Sequence, residues 1–429
     1  MKPLTPRQNI CLSLLVAVLT MVAGLVAQNA PTEAPAAFAT PPLSVNLPPS
    51  SVSNGINEPA GDTYLKDQAI FEEVHDTSNG LGPVFNATSC AQCHQNSVDG
   101  SASQFTEVRV GHLDSSNNFV NPTVPINDGM NSITGRSIVD DRAICEAAQE
   151  HVPNTETIQG RRAVLNTLGD GFVEAVPDQT LLAIAASQPT QTNGLIHGEA
   201  IVIPILESPG NTQVGRFGWK DQQPTVLSFV GDAYLNEMGV TNRLRPTDVT
   251  TVCKTTTDPE DTPDSIGLAN IDHFAQFIRG TQAPPRDTVL AATSDAQAGS
   301  QLFGQIGCSI CHVSSLVTAP AGTVINGGAY TVPDAIGNRI FHPYGDFLMH
   351  DIGTGDGIYQ AGPTDTAYKL RTAPLWGLHI KSRFMHDLES LTLQDAIKRH
   401  GGEAAHVAHQ FNHLTAAEQQ QLITFLQSL

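Results

Sequence analysis

The sequence predicts a mainly α protein, with two helical domains each built around one copy of a short cysteine-histidine motif, long loops, and a few short β-strands in an insertion. Two observations predict this. The pentapeptide Cys-x-x-Cys-His occurs as Cys90-Ala91-Gln92-Cys93-His94 and again as Cys308-Ser309-Ile310-Cys311-His312, and apolar residues at helical spacing precede each copy. Between the copies, residues 105–285 are polar loops with short β-branched runs, such as 200–205, that read as a few strands. At 429 residues the chain has room for two or three domains, each with its own core.

The chain opens with a positive head at Lys2 and Arg7, an uncharged apolar run over 10–26, and small residues around Ala27 and Ala30, which together read as a secretory signal over residues 1–27. The expectation is a periplasmic or otherwise exported protein with the signal cleaved; an amino-terminal membrane anchor is the alternative. Residues 28–60 are rich in Ala, Pro, Ser and Asn without helical or strand period, and are expected to be a disordered linker. The first motif domain then spans 61–285. Tyr64, Leu65, Ile70 and Phe71 give a partial helical pattern before the Gly-rich loop Asn79-Gly80-Leu81-Gly82-Pro83.

The second motif domain spans 286–429. Ser294-Asp295-Ala296-Gln297 has capping-box form, and Ala296, Gly299, Leu302, Phe303 and Ile306 follow at helical spacing up to Cys308. Thr392 precedes a short helix with Leu393, Ala396, Ile397 and His400 on one face, stopped by Gly401-Gly402. Thr415-Ala416-Ala417-Glu418 is a second capping box, followed by Leu422, Phe425, Leu426 and Leu429 on one face of a terminal helix. This segment resembles cytochromes c, in which the first and last helices cross at a small residue, with Gly299 as the close-approach position.

The motif spacing is the attachment signal for c-type haem. Two thiols three residues apart form thioethers to the two vinyls, and the adjacent imidazole faces the iron as proximal ligand. Cys90, Cys93, Cys308 and Cys311 would therefore hold two covalent haem c groups, with His94 and His312 on the irons. A zinc site would need further Cys or His ligands at short spacing, and none follow. His400, on an apolar stripe close to a haem that needs a sixth ligand, is the candidate for that position; a hydrogen-bonded core histidine is the plainer reading. Of seven cysteines, Cys11 lies in the signal, and Cys145 and Cys253 either form a disulfide or stay as buried thiols.

Phe384-Met385-His386-Asp387 with Leu393, Ala396-Ile397 and His400-Gly401 resembles the carboxyl-terminal signature of the bacterial di-haem cytochrome c peroxidase superfamily. Gly82-Pro83-Val84-Phe85-Asn86, Gly215-Arg216-Phe217-Gly218-Trp219-Lys220, Asn236-Glu237-Met238-Gly239, Pro343-Tyr344 with His350-Asp351, and Arg371-Thr372-Ala373-Pro374-Leu375 resemble its di-haem oxidoreductase family, also called thiol oxidoreductases. The resemblance implies two cytochrome c-like domains facing one another, with the reactive haem on His94 and the electron-relay haem on His312. It places His400 where the peroxidases carry an axial Met, which implies a bis-His haem of lower potential. Trp219 would bridge the haems, with a buried structural Trp as the simpler reading. Calcium binds between the haems in many of these peroxidases, but Lys381-Ser382-Arg383 replaces the Thr-x-Pro pattern, so no calcium is expected there.

A peroxidase pocket also needs a group that moves a proton near the reacting oxygen. Glu174, an acid within Gly169-Asp170-Gly171-Phe172-Val173-Glu174, is the first candidate, against a loop acid paired with Arg161 or Arg162. His75 and Met238 are alternatives as distal ligand. The expected function is reduction of hydrogen peroxide with electrons from a small carrier, a cytochrome c or cupredoxin. A non-catalytic electron-transfer cytochrome and a protein-modifying haem oxidase are the alternatives. The balance of 22 basic against 42 acidic residues disfavours nucleic acid and anionic lipid, and suits a basic protein partner; solubility of an exported chain explains it equally well.

Overall fold

A computed structural model gives the chain over residues 30–38 and 52–429. The expected signal segment lies outside these described residues, and no helix among them is long and apolar enough to cross a membrane.

The mainly α expectation is corrected. The structure is 30% helical and 16% strand, with eleven α-helices and many small sheets among the described residues. The reason lies in the middle third, where stretches without a 3.6-residue period pair as strands instead of looping. Thr106–Leu113 runs antiparallel to Ile158–Ala163 over six residue pairs, and Ile138–Val139 and Phe119–Val120 extend the same sheet. Val202–Pro204, expected as a strand, pairs with Thr212–Val214. The expected linker also contributes: Thr32–Glu33 adds a parallel strand to Arg339–Phe341, and Ser53 bridges Thr281.

Around the first motif, helices Tyr64–Glu72, Val226–Met238 and Asn270–Gly280 pack together. Thr63 caps the first by accepting from Lys66 N, Thr225 caps the second by accepting from Ser228 N, and Gly239 ends the second in the left-handed conformation. Their buried faces meet through Phe71, Tyr234, Phe274 and Phe277, and this core continues past residue 285 through Leu316, Phe341 and Trp376. The covalent staple of the same half is the Cys145–Cys253 disulfide.

The second motif sits in a smaller core of Phe303, Phe411, Leu422, Phe425 and Leu426. Helix Ser294–Gln305 starts one residue earlier than the capping-box reading: Thr293, not Ser294, is the cap, accepting from Ala296 N. Helix Ala416–Leu426 starts at the expected capping box of Thr415 and Glu418. The two helices cross at Gly299, where a Cβ would lie 2.0 Å from the Gln421 carbonyl oxygen, so only glycine allows this approach. Thr392 caps helix Leu393–Lys398, and His400 follows just past its end.

Candidate functional site

Each motif opens onto its own cavity. The first, of about 450 Å³, is lined by Cys90, Cys93 and His94 together with Phe71, Phe217, Phe274 and Met238. Ser89 caps the one-turn helix Cys90–Cys93 by accepting from Gln92 N, which sets both thiols and the imidazole on the cavity wall. The second, of about 240 Å³, is lined by Cys308, Cys311, His312 and His400 with aliphatic side chains such as Leu375, Leu393 and Leu422. Gly307, at φ 99°, turns the chain sharply into Cys308.

Both motif imidazoles are neutral. Burial pulls His94 and His312 each down to about 4, so each offers a lone pair. His312 Nδ1 donates to the Tyr344 carbonyl at 2.9 Å, and His400 Nδ1 donates to the Ala396 carbonyl at 2.8 Å. In both rings Nε2 is thereby left as the free donor atom. Both rings line the same cavity. Burial pushes the Cys90, Cys93 and Cys308 thiols up to about 12, which is the opposite of a reactive redox dithiol. Zinc fits no better. Among the described residues, the first cysteine pair joins no metal-ligating group, and of the second only Cys311 approaches one, with Asp346 and His350.

The residues present fit thioether-linked haem. Each cavity has two unreactive thiols, a neutral imidazole and apolar walls. The second also holds Lys381, whose ammonium has no carboxylate within ion-pair distance among the described residues; burial and the neighbouring Arg371 charge pull it down to about 8. A partly buried cation of this kind calls for an anion, and the haem carboxylates would supply one.

Six residues line both cavities and form their common wall: Ala163, Val164, Leu165, Asn166, Trp219 and Arg371. Trp219 is fixed from two sides. Its Nε1 donates to Ala163 O at 2.8 Å, and its own carbonyl accepts from Arg371 N at 2.9 Å. The His386 ring meets it edge-on at 6.0 Å.

The acids are distributed unequally. No Asp or Glu lines the second cavity, whereas Glu107, Asp141, Asp170, Asp232 and Glu237 line the first. Burial raises Glu237 well above the usual carboxylate range, and the Glu107 charge beside it adds to the shift. Burial works the same way on Glu107, but the Arg109 guanidinium, bonded through Nη2 to Glu107 Oε2 at 3.1 Å, holds it below its ordinary value. Of the two neighbouring acids, Glu237 is thus the one pushed toward its protonated form and Glu107 the one held toward its carboxylate. Burial, partly offset by Arg371, pushes Asp170 up to about 7.

Glu174 is not among these acids. It lines neither cavity, and it is a buried helix residue clamped by Arg279 rather than Arg161 or Arg162. His75 is also outside the first cavity, with Nδ1 on the Asn79 carbonyl, whereas Met238 lines it. Sequence reading passed over Glu237, Glu107 and Asp170. Glu237 stands beside the Met238 that drew attention, and its partner Glu107 comes from a distant strand with no local spacing to mark it.

No curated protein matches the chain. Among solved structures, a MauG-like protein associated with microbial copper homeostasis aligns over 37% of this chain at 19% identity and a TM-score of 0.24. The match spans 52% of that protein, about half its length. The hydrazine synthase of Kuenenia stuttgartiensis, in crystals pressurised with 20 bar xenon, aligns over 92% of this chain and 99% of its own at 13% identity and a TM-score of 0.36. The family described as "Di-haem oxidoreductase, putative peroxidase" matches residues 139–429, which include the second motif, the common wall and Glu237. With two motif-bearing cavities and a match over well over half its length, the chain belongs to this di-haem oxidoreductase family.

Proposed function

We propose that the chain is an exported c-type cytochrome that reduces hydrogen peroxide, taking electrons from a small carrier protein at the second cavity and delivering them to the first. The haems supply one-electron transfer and activation of the O–O bond when bound. Cys90, Cys93, Cys308 and Cys311 would hold them, His94 and His312 would each offer an imidazole to an iron, and His400 would offer a second to the haem of the second cavity. Trp219, in the wall common to both cavities, lies on the electron route.

The single observation that carries the reading is the unequal distribution of acids. Among the described residues the second cavity is lined by no carboxylate and by four imidazoles: burial pulls His312, His386 and His400 toward the neutral form, whereas Asp346 and Glu403 push His350 up against its burial, and the neutral His312 and His400 would suit a relay. The first has one motif imidazole and, beside Glu107, a Glu237 pushed toward its protonated form, as suits chemistry that consumes protons. Peroxide takes two electrons and two protons to give two waters. Glu237 donates one of these protons to the leaving oxygen; the second proton, and the one that recharges Glu237, come from solvent, and Glu107, held ionised by Arg109, favours the protonated form of Glu237 before transfer.

The test is peroxide turnover with a reduced carrier in Glu237→Gln and Glu174→Gln. Glu237→Gln should lose about 10²–10⁴ in kcat at unchanged haem content, the usual contribution of a positioned acid. Glu174→Gln should keep its turnover per folded molecule. Full activity in Glu237→Gln would remove the acid pair from the mechanism.

A further inference from the structure

A second set of ligand-type side chains lies outside both cavities, where helices Tyr64–Glu72 and Asn270–Gly280 pack against each other. Asp62 stands just before the first helix, Asp67 in its first turn, and His273 near the start of the second. All three are buried, at 8%, 0% and 1% exposure. His273 Nδ1 lies 2.6 Å from Asp67 Oδ1 and 3.3 Å from Asp62 Oδ2, and one ligand atom of each residue lies within 4.8 Å of the other two. Ligands about 2.0–2.2 Å from a common tetrahedral ion stand roughly 3.3 Å apart. The His273–Asp62 separation of 3.3 Å is of that size, whereas the 2.6 Å contact with Asp67 is a hydrogen bond that an ion would have to open, and Gln276 Nε2 donates to Asp62 Oδ2 at 3.1 Å.

What the protein itself supplies does not satisfy the cluster. Asp62 Oδ1, Asp67 Oδ2 and His273 Nε2 are buried without a hydrogen-bond partner. Burying two carboxylates on one imidazole costs several kcal/mol per ion unless the remaining lone pairs are met. The nearest cation, Lys66, stays on the rim. Its Nζ is 3.6 Å from Asp62 and 2.8 Å from Asp264, and its side chain is 37% exposed. Asp264 also approaches His273 Nε2 at 3.4 Å from the rim.

We propose that Asp62, Asp67 and His273 bind one divalent transition-metal cation of the zinc or manganese type, with Asp264 closing the site at its rim. A set of one imidazole and hard carboxylates suits these ions rather than copper(I), which prefers thiolate and thioether. The ion ties together two helices that also wall the first cavity, through Phe71 and Phe274. The two other ligand clusters differ. Asp248, Asp258 and Glu260 already enclose the Lys254 ammonium, and in the cluster of Cys311, Asp346 and His350 the first and last line the second cavity, with His350 already bonded to Asp346 and Glu403.

The test uses the haem-loaded protein after EDTA dialysis, titrated with Zn²⁺ and separately with Mn²⁺ by calorimetry, with bound metal counted by mass spectrometry. His409→Gln/His413→Gln serves as background, because those exposed rings stack at 4.1 Å and would take up zinc on their own. The expected result is about one equivalent of zinc or manganese beyond the haem iron, lost in Asp67→Asn and His273→Gln, and about tenfold weaker in Asp264→Asn. A background protein that takes up neither metal overturns the proposal and leaves a proton shared between Asp62 and Asp67 as the occupant. So does an equivalent that persists unchanged in Asp264→Asn, a rim variant that leaves the buried pair intact even where Asp67→Asn fails to fold.

Discussion

At neutral pH Glu174 is a carboxylate with both oxygens occupied: Oε2 accepts from Arg279 Nε at 2.6 Å, and Oε1 accepts from Arg279 Nη2, Val226 N and Asn326 Nδ2. Burial tends to raise its pKa, but the Arg279 charge and these donors hold it below the ordinary value. A folded-state pKa below the unfolded one gives stability that is present above the unfolded value and is lost as pH falls through the folded one. Glu174→Gln should therefore cost about 3–5 kcal/mol at pH 7, the penalty for leaving a buried guanidinium uncompensated, and should flatten the acid side of the stability curve. Urea unfolding at pH 7 and in acid measures both, and an unchanged midpoint at pH 7 contradicts the assignment. The same residue shows where sequence reading stops. Burial of Glu174 was legible from its apolar surroundings, but its partner Arg279 is far away in the chain, and burial alone does not distinguish an anchored acid from a working one. His94, His312 and His400 were legible because their neighbours in sequence carry the signal.

Short elements were read well where a local rule governs them. Thr415 with Glu418 and Thr392 with Asp395 N start their helices because the cap and its receiver are within one turn. The crossing of Ser294–Gln305 and Ala416–Leu426 was visible from Gly299 alone, since a close approach needs a residue without a Cβ. Gly299→Ala should push the helices apart against the Gln421 carbonyl, costing at least about 1–3 kcal/mol and lowering Tm by several degrees. Thermal unfolding measures this, and a Tm at or above the parent's contradicts the crossing. The two- and three-residue strands were not legible. Leu316–Val317 and Thr32–Glu33 exist only because Arg339–Phe341 lies between them, and so short a stretch carries no period of its own.

At the scale of the whole molecule, the chain brings two motifs far apart in sequence to cavities that share one wall, with Trp219 and Arg371 in it. The repeated pentapeptide made the two sites legible, whereas the wall is assembled from strand Ile158–Ala163, the turn at Gly218 and strand Leu370–Arg371, which no local pattern joins. The Cys145–Cys253 disulfide closes a loop of 108 residues within the first half, away from both cavities. The account depends on each cavity taking one haem through its own cysteine pair. Intact-mass analysis of protein matured in a host that attaches c-type haem tests this directly. The predicted result is a mass gain of two haem groups, falling to one in Cys308→Ser/Cys311→Ser. A chain that gains no mass beyond its amino acids, or the same mass with and without the second cysteine pair, contradicts it.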